Sequence, residues 1–162
     1  MTLVFTRSRS WLSRLIRWAT RGQVSHVAIG TELAGVPVVV EADALGVVVT
    51  LRTRFAARSE IVAEYKVIDG MLTVGGAVDE IGHAYDYSGL FGMAVVTVAR
   101  YFGRKIRNPF QSPRAFFCSE LVFAIDPLRT VVPWRSMRPD TTSPQDLYDA
   151  CRMWPTVFVE MK

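Results

Sequence analysis

Residues 24–52, VSHVAIGTELAGVPVVVEADALGVVVTLR, decide the fold class. Valine, isoleucine and threonine crowd three runs, Val24–Thr31, Val36–Ala42 and Gly46–Arg52, and such residues suit a pleated, half-buried surface. Gly35-Val36-Pro37 and Gly46 punctuate the runs, so the segment predicts an antiparallel meander. Outward from it, Leu3–Thr6 and Ile61–Ile68 read as further strands. Ser10–Thr20 reads as a helix, with Trp11, Leu12, Leu15, Ile16 and Trp18 at the spacing of a helix packed on a core.

The second half is mainly helical. Thr73–Tyr87 and Leu90–Tyr101 read as helices, followed by a loop over Arg107–Arg114 that carries Asn108, Pro109, Ser112 and Pro113. Phe116–Ile125 predicts a buried helix ended by Asp126-Pro127. Ser143-Pro144 is an N-cap followed by proline at the first helical position, opening a helix through Met153, and Thr156–Met161 is a final strand. The pattern is α+β.

A chain of 162 residues is the size of one ordinary domain, so residues 1–162 are expected to fold as a unit. Its formal charge is +4, but the basic residues are scattered and no recognition motif accompanies them, so nucleic acid is not an expected partner. No apolar run reaches the ~20 residues that span a bilayer. With no secretory signal visible, the expected location is the cytoplasm; peripheral membrane contact through the basic N-terminal helix is the lesser reading. Cys118 and Cys151 are expected as free thiols. The histidines and cysteines match no common zinc spacing, and no phosphate-binding loop or dinucleotide fingerprint occurs, so no metal and no cofactor are expected.

Two segments carry candidate chemistry. Cys118, in Phe116-Phe117-Cys118-Ser119-Glu120-Leu121, falls in the first turn of its helix, where the dipole and unpaired N–H groups favour a thiolate and could hold an oxyanion. The bland alternative is a small core residue. His26 alternates with apolar neighbours on a strand, and Glu41 ends the next strand across the Gly-Pro turn. Antiparallel neighbours so related can place a carboxylate beside an imidazole and hold its tautomer. Either alone is an ordinary polar residue at a strand edge; the pair says more. His83 ranks below His26 as a base.

Taken together, Ser25-His26-Val27-Ala28-Ile29, Val40-Glu41-Ala42, Tyr85-Asp86-Tyr87-Ser88-Gly89-Leu90, Phe117-Cys118-Ser119-Glu120-Leu121-Val122 and Ser143-Pro144-Gln145-Asp146-Leu147 form a recognisable series. In order and spacing the chain resembles the YiiX-like, circularly permuted branch of the NlpC-type papain-fold cysteine hydrolases. There the histidine strand precedes the cysteine helix. The resemblance covers most of the chain and implies an antiparallel sheet with the nucleophile helix packed against it. It implies Cys118 as nucleophile, His26 as base and Glu41 as the orienting residue, with Tyr85 and Tyr87 lining the substrate cleft.

The function so implied is a thiol hydrolase, of amidase or peptidase kind, cleaving an amide or ester of a small peptide or acyl substrate through an acyl-enzyme. Relatives of this fold include cell-wall peptidases and acyltransferases, so an acyltransferase or lipid-directed thiol enzyme is the nearest alternative. A non-catalytic phage or structural protein retaining the fold is the alternative from another class. Cys151, recurring with Leu147, Tyr148, Ala150 and Trp154 at helical spacing, is expected to pack rather than react. A thiolate–imidazolium pair of Cys118 and His26 is expected near neutral pH.

Overall fold

A computed structural model describes residues 1–68, 74–104, 106–110, 115–126 and 130–161. Its elements are β1 (Thr2–Arg7), α1 (Trp11–Thr20), β2 (His26–Leu33), β3 (Val36–Asp43), β4 (Gly46–Leu51), α2 (Arg52–Arg58) and β5 (Glu60–Val67). There follow α3 (Val74–Asp79), β6 (Ala84–Tyr85), α4 (Tyr87–Tyr101), β7 (Ala115–Phe116), α5 (Cys118–Ala124), α6 (Pro144–Met153) and β8 (Phe158–Glu160). Two 3₁₀ turns, Val132–Ser136 and Pro139–Thr141, lie between α5 and α6.

One antiparallel sheet runs β4-β3-β2-β1-β5-β8. The meander from Val24 to Arg52 supplies half of it, and the last strand pairs with β5, so both ends of the chain meet in one sheet. Alternation sorts the side chains by face. Leu3, Phe5, Val27, Ile29, Val40 and Ala42 share a core with Leu121, Val122 and Leu147 of α5 and α6. Val4, Ala28 and Val39 point the other way, onto Phe55 of α2. Leu121 is wholly buried, and trimming it to alanine would cost about 2–5 kcal/mol.

The structure departs from the sequence-based expectations in four places. The segment Arg52–Arg58, not expected as an element, is helical. The helix expected over Thr73–Tyr87 is broken: α3 ends at Asp79, Gly82 takes a positive φ of 91°, and Ala84–Tyr85 pairs in parallel with Ala115–Phe116. Asp86 then caps α4, its carboxylate accepting from the Gly89 N–H at 2.6 Å. A Cβ on Gly89 would meet that carboxylate at 2.4 Å, which explains the glycine. The cysteine helix starts at Cys118 rather than Phe116, because 115–116 is spent on the short strand. Finally, α1 is no core helix: Trp11 and Trp18 are 75% and 76% exposed, and Ser13 is its buried residue. It lies against α4 at the rim of a cleft. The readings at Thr73, Ser112, Pro113 and Pro127 fall outside the described residues.

Candidate active site

β2 begins at His26, opposite Thr6 of β1. Beside this step β5 carries one extra residue, Val62, between the partners of Phe5 and Thr6. Such a bulge bends a strand and re-aims nearby side chains. His26 shares its face with Ala28, and its ring centroid lies 6.3 Å from that of Phe55. Glu41, on the next strand and 1% exposed, accepts from the imidazole, with Nε2 to Oε2 at 3.2 Å. That leaves Nδ1 as the ring nitrogen that can face a nucleophile.

α5 packs across β2 and β3, and its first residue reaches the end of the sheet where β2 begins and β3 ends. A cleft of about 220 Å³ opens there, lined by His26, Cys118, Asp43, Tyr85 and Tyr87 among others. Cys118 and His26 line it together, near enough for the thiol to act on the imidazole. The helix cap at Phe117 has no polar side chain to offer, so the first-turn N–H groups receive no side-chain cap. Glu120 instead turns back to accept from the Phe117 N–H at 3.4 Å. Ser119 donates to the Thr142 carbonyl at 2.6 Å and pins the helix start to the second 3₁₀ turn.

Electrostatics favour a charged imidazole. Burial alone would lower its pKa, but hydrogen bonds to Cys118 and Glu41, with the attraction of both, push it up to about 10. Glu41 shows the complementary balance: burial raises its carboxyl, and His26, the Thr50 hydroxyl and the Arg58 guanidinium together hold it below the ordinary value. Arg58 pairs with Glu41 and lies 3.4 Å from Asp43. It is a site residue that the sequence reading missed. Its signal was present in Arg52-Thr53-Arg54-Phe55-Ala56-Ala57-Arg58, a helix-forming run with arginine at its C-terminal end.

The two tyrosines stand against each other with ring centroids 4.8 Å apart. Tyr87 donates to the Ala44 carbonyl at 2.9 Å. Burial, then the electrostatic influence of Cys118, raise the Tyr85 pKa, so it stays a hydroxyl. A second residue outside the initial reading is Gln145, whose side-chain oxygen accepts from the N–H groups of Gln23 (2.7 Å) and Val24 (3.3 Å). It fixes the chain that enters β2 just before His26.

Other candidates stand apart. His83 pairs with Glu80 at 2.9 Å on the surface, and its carbonyl accepts from Val47. Cys151 is 1% exposed on α6, and burial pushes its thiol pKa up. Among the described residues, no cluster of three or more His, Cys, Asp or Glu could hold a metal ion, and no helix is long and apolar enough to cross a membrane.

No protein-family model matches the sequence, and no curated protein matches it. A comparison of structures finds the metalloprotein YiiX of Escherichia coli O157:H7, at a TM-score of 0.56 and 20% identity. The match covers 99% of this chain and 94% of that one. With the six-stranded antiparallel sheet and the helix of Cys118 packed on it, the chain has a YiiX-like, papain-like fold.

Proposed function

We propose that the chain is a cysteine-dependent hydrolase that cleaves an ester or amide through an acyl-enzyme on Cys118. The observation that carries this reading is the series Cys118–His26–Glu41–Arg58, whose first two members line one cleft while Glu41 is buried behind them. A nucleophile, a base and a carboxylate that orients the base are what such chemistry requires.

Cys118 gives its proton to His26, and the sulfur attacks the carbonyl carbon. The first-turn N–H groups of α5 and the Tyr85 hydroxyl face the oxygen as it takes up charge. Collapse breaks the bond to the leaving oxygen or nitrogen, which takes the proton from the imidazolium. His26 then removes a proton from water, and the hydroxide releases the acyl group from sulfur. Glu41 holds the imidazole with Nε2 inward and steadies its charge, and Arg58 keeps Glu41 ionised despite its burial.

YiiX is called a metalloprotein. The residues here do not fit a metal: no suitable cluster exists among those described, and both Glu41 oxygens are engaged, one by His26 and one by Arg58. The proposed steps therefore use the chain's own groups and water.

The test is intact mass spectrometry after brief exposure to p-nitrophenyl acetate. One acetyl group on Cys118 is expected, absent in Cys118→Ala and greatly slowed in His26→Ala. Equal acetylation of Cys118→Ala, with the label elsewhere, would sink the assignment.

A further inference from the structure

Outside the catalytic cleft, a groove of about 890 Å³ runs between α1 and the end of α2. Arginines from separate parts of the chain line it. Arg7 ends β1, Arg9 lies in the loop that follows, Arg14 and Arg17 stand one turn apart on α1, and Arg58 ends α2. The groove and the cleft of Cys118 share Ser8 and Ser59, so they adjoin without coinciding. The rest of the lining is Ala56, Ala57 and Glu60, and among the described residues neither an aromatic ring nor a bulky apolar side chain enters it.

The groove is strongly positive. Its carboxylate, Glu60, is gripped by Arg7 in a fork, with Nε to Oε2 at 2.9 Å and Nη2 to Oε1 at 2.5 Å. Arg7 first, with Arg17 and Arg9 beside it, holds that carboxyl below its ordinary value although it is exposed. Guanidinium groups from β1, the loop and α1 thus converge on one point instead of following a line. Arg58 is turned to Glu41 and Asp43. Arg9, Arg14 and Arg17 have no carboxylate of their own among the described ion pairs. Like charges held together repel, and a groove of one sign concentrates ligands of the other.

We propose that this groove is a binding site, separate from the catalytic cleft, for a compact anion carrying several phosphate groups on a polar scaffold. Guanidinium forks match phosphate oxygens in pairs, and the Ser8 and Ser59 hydroxyls add donors at one end. Convergence of the arginines suits a compact ligand better than an extended acidic peptide, whose charges would be spread along a strand. The lining offers no ring on which a base could stack, which sets nucleic acid aside, and no apolar wall for hydrocarbon. An oligophosphate chain and a phosphorylated polyol ring share this chemistry. The site stands whether or not Cys118 is a nucleophile.

Calorimetric titration of the whole protein at fixed ionic strength tests it. With inorganic phosphate, pyrophosphate and tripolyphosphate in turn, affinity should rise about three- to ten-fold at each step. Tripolyphosphate affinity should fall about three- to thirty-fold in the Arg9→Ser/Arg14→Ser double variant. Both side chains are exposed and make no side-chain hydrogen bond among the described residues, so the fold should survive their loss. Arg104→Ser/Arg107→Ser removes the same charge from an exposed stretch outside the groove, and it should bind within about two-fold of wild type. Equal losses in the two double variants would make binding a matter of net charge and overturn the proposal. myo-Inositol hexakisphosphate is titrated beside tripolyphosphate, and the tighter of the two tells a ring from a chain. If neither binds, the proposal falls. It falls too if hexaglutamate or a uridine oligonucleotide binds more tightly than both with the same dependence on Arg9 and Arg14.

Discussion

Glu41→Gln isolates what the buried carboxylate does for the imidazole. The rise of the His26 pKa from 6.5 to about 10 corresponds, at 1.36 kcal/mol per pH unit, to roughly 5 kcal/mol in favour of the imidazolium. That figure is what remains after burial has worked against it, and Cys118 and Glu41 supply it between them. Glutamine keeps the shape and a carbonyl acceptor 3.2 Å from Nε2 but removes the charge, so His26 should titrate about 1–3 units lower. Arg58 loses its buried partner in the same step, and a further stability loss of about 3–5 kcal/mol is the upper bound for a fully buried pair. Arg58 is 42% exposed and can turn to Asp43, which brings the loss well below that bound. The assay is the ring-proton chemical shift of His26 against pH, in wild type and in Glu41→Gln. In Glu41→Gln the midpoint of that titration should move down by about the same 1–3 units. A wild-type histidine titrating near 6.5, unmoved by Glu41→Gln, would refute the whole account of the site.

Other outcomes follow from the same geometry. Stability should fall between about pH 6.5 and 10, since the folded state holds the His26 proton more tightly than the unfolded one. The contribution is complete below 6.5 and lost as pH rises through 10, and urea melts of wild type against His26→Ala across that range would reveal a flat difference if this is wrong. Glu41, held low, acts in the opposite sense, and its contribution is lost as pH falls through its depressed value. Cys151→Ser should cost about 1–3 kcal/mol for burying a hydroxyl among apolar side chains, yet leave turnover per folded molecule unchanged; loss of activity in folded protein would make Cys151 more than packing. Gln145→Ala should lower kcat with little effect on KM, because it frees the Gln23 and Val24 N–H groups and loosens the entry to His26; unaltered kinetics would leave Gln145 as a surface residue only. Gly46→Ala should destabilise by roughly 1–3 kcal/mol, as φ is 110° and the new Cβ would stand 2.3 Å from the His83 carbonyl. Melting of the alanine variant at the wild-type temperature would contradict this.

Much of the molecule was legible in the chain because it depends on local pattern. β-Branched runs separated by Gly35 and Gly46 specify a meander, and its register follows from the two-residue period once one face is apolar. Ser143-Pro144 marks its helix for the same kind of reason: the Ser143 side chain and Asp146 cap each other's backbone within four residues. The candidacy of Cys118 and the His26–Glu41 pair also rest on short-range features, a helix start and one hairpin.

What tertiary structure alone decided are the meetings of residues remote in sequence. Cys118 reaches His26 because α5 packs across the strands and starts at the end of the sheet where β2 begins, a meeting no periodicity encodes. Arg58 joins Glu41 only once α2 folds back under the sheet, and Gln145 holds the entry to β2 from 122 residues away. α1 misled the reading most. Its apolar spacing matches a buried helix, but hydrophobic pattern records which face is apolar and not what covers it. In the fold that face lines a cavity at the mouth of the site, and Trp11 and Trp18 stay in the open.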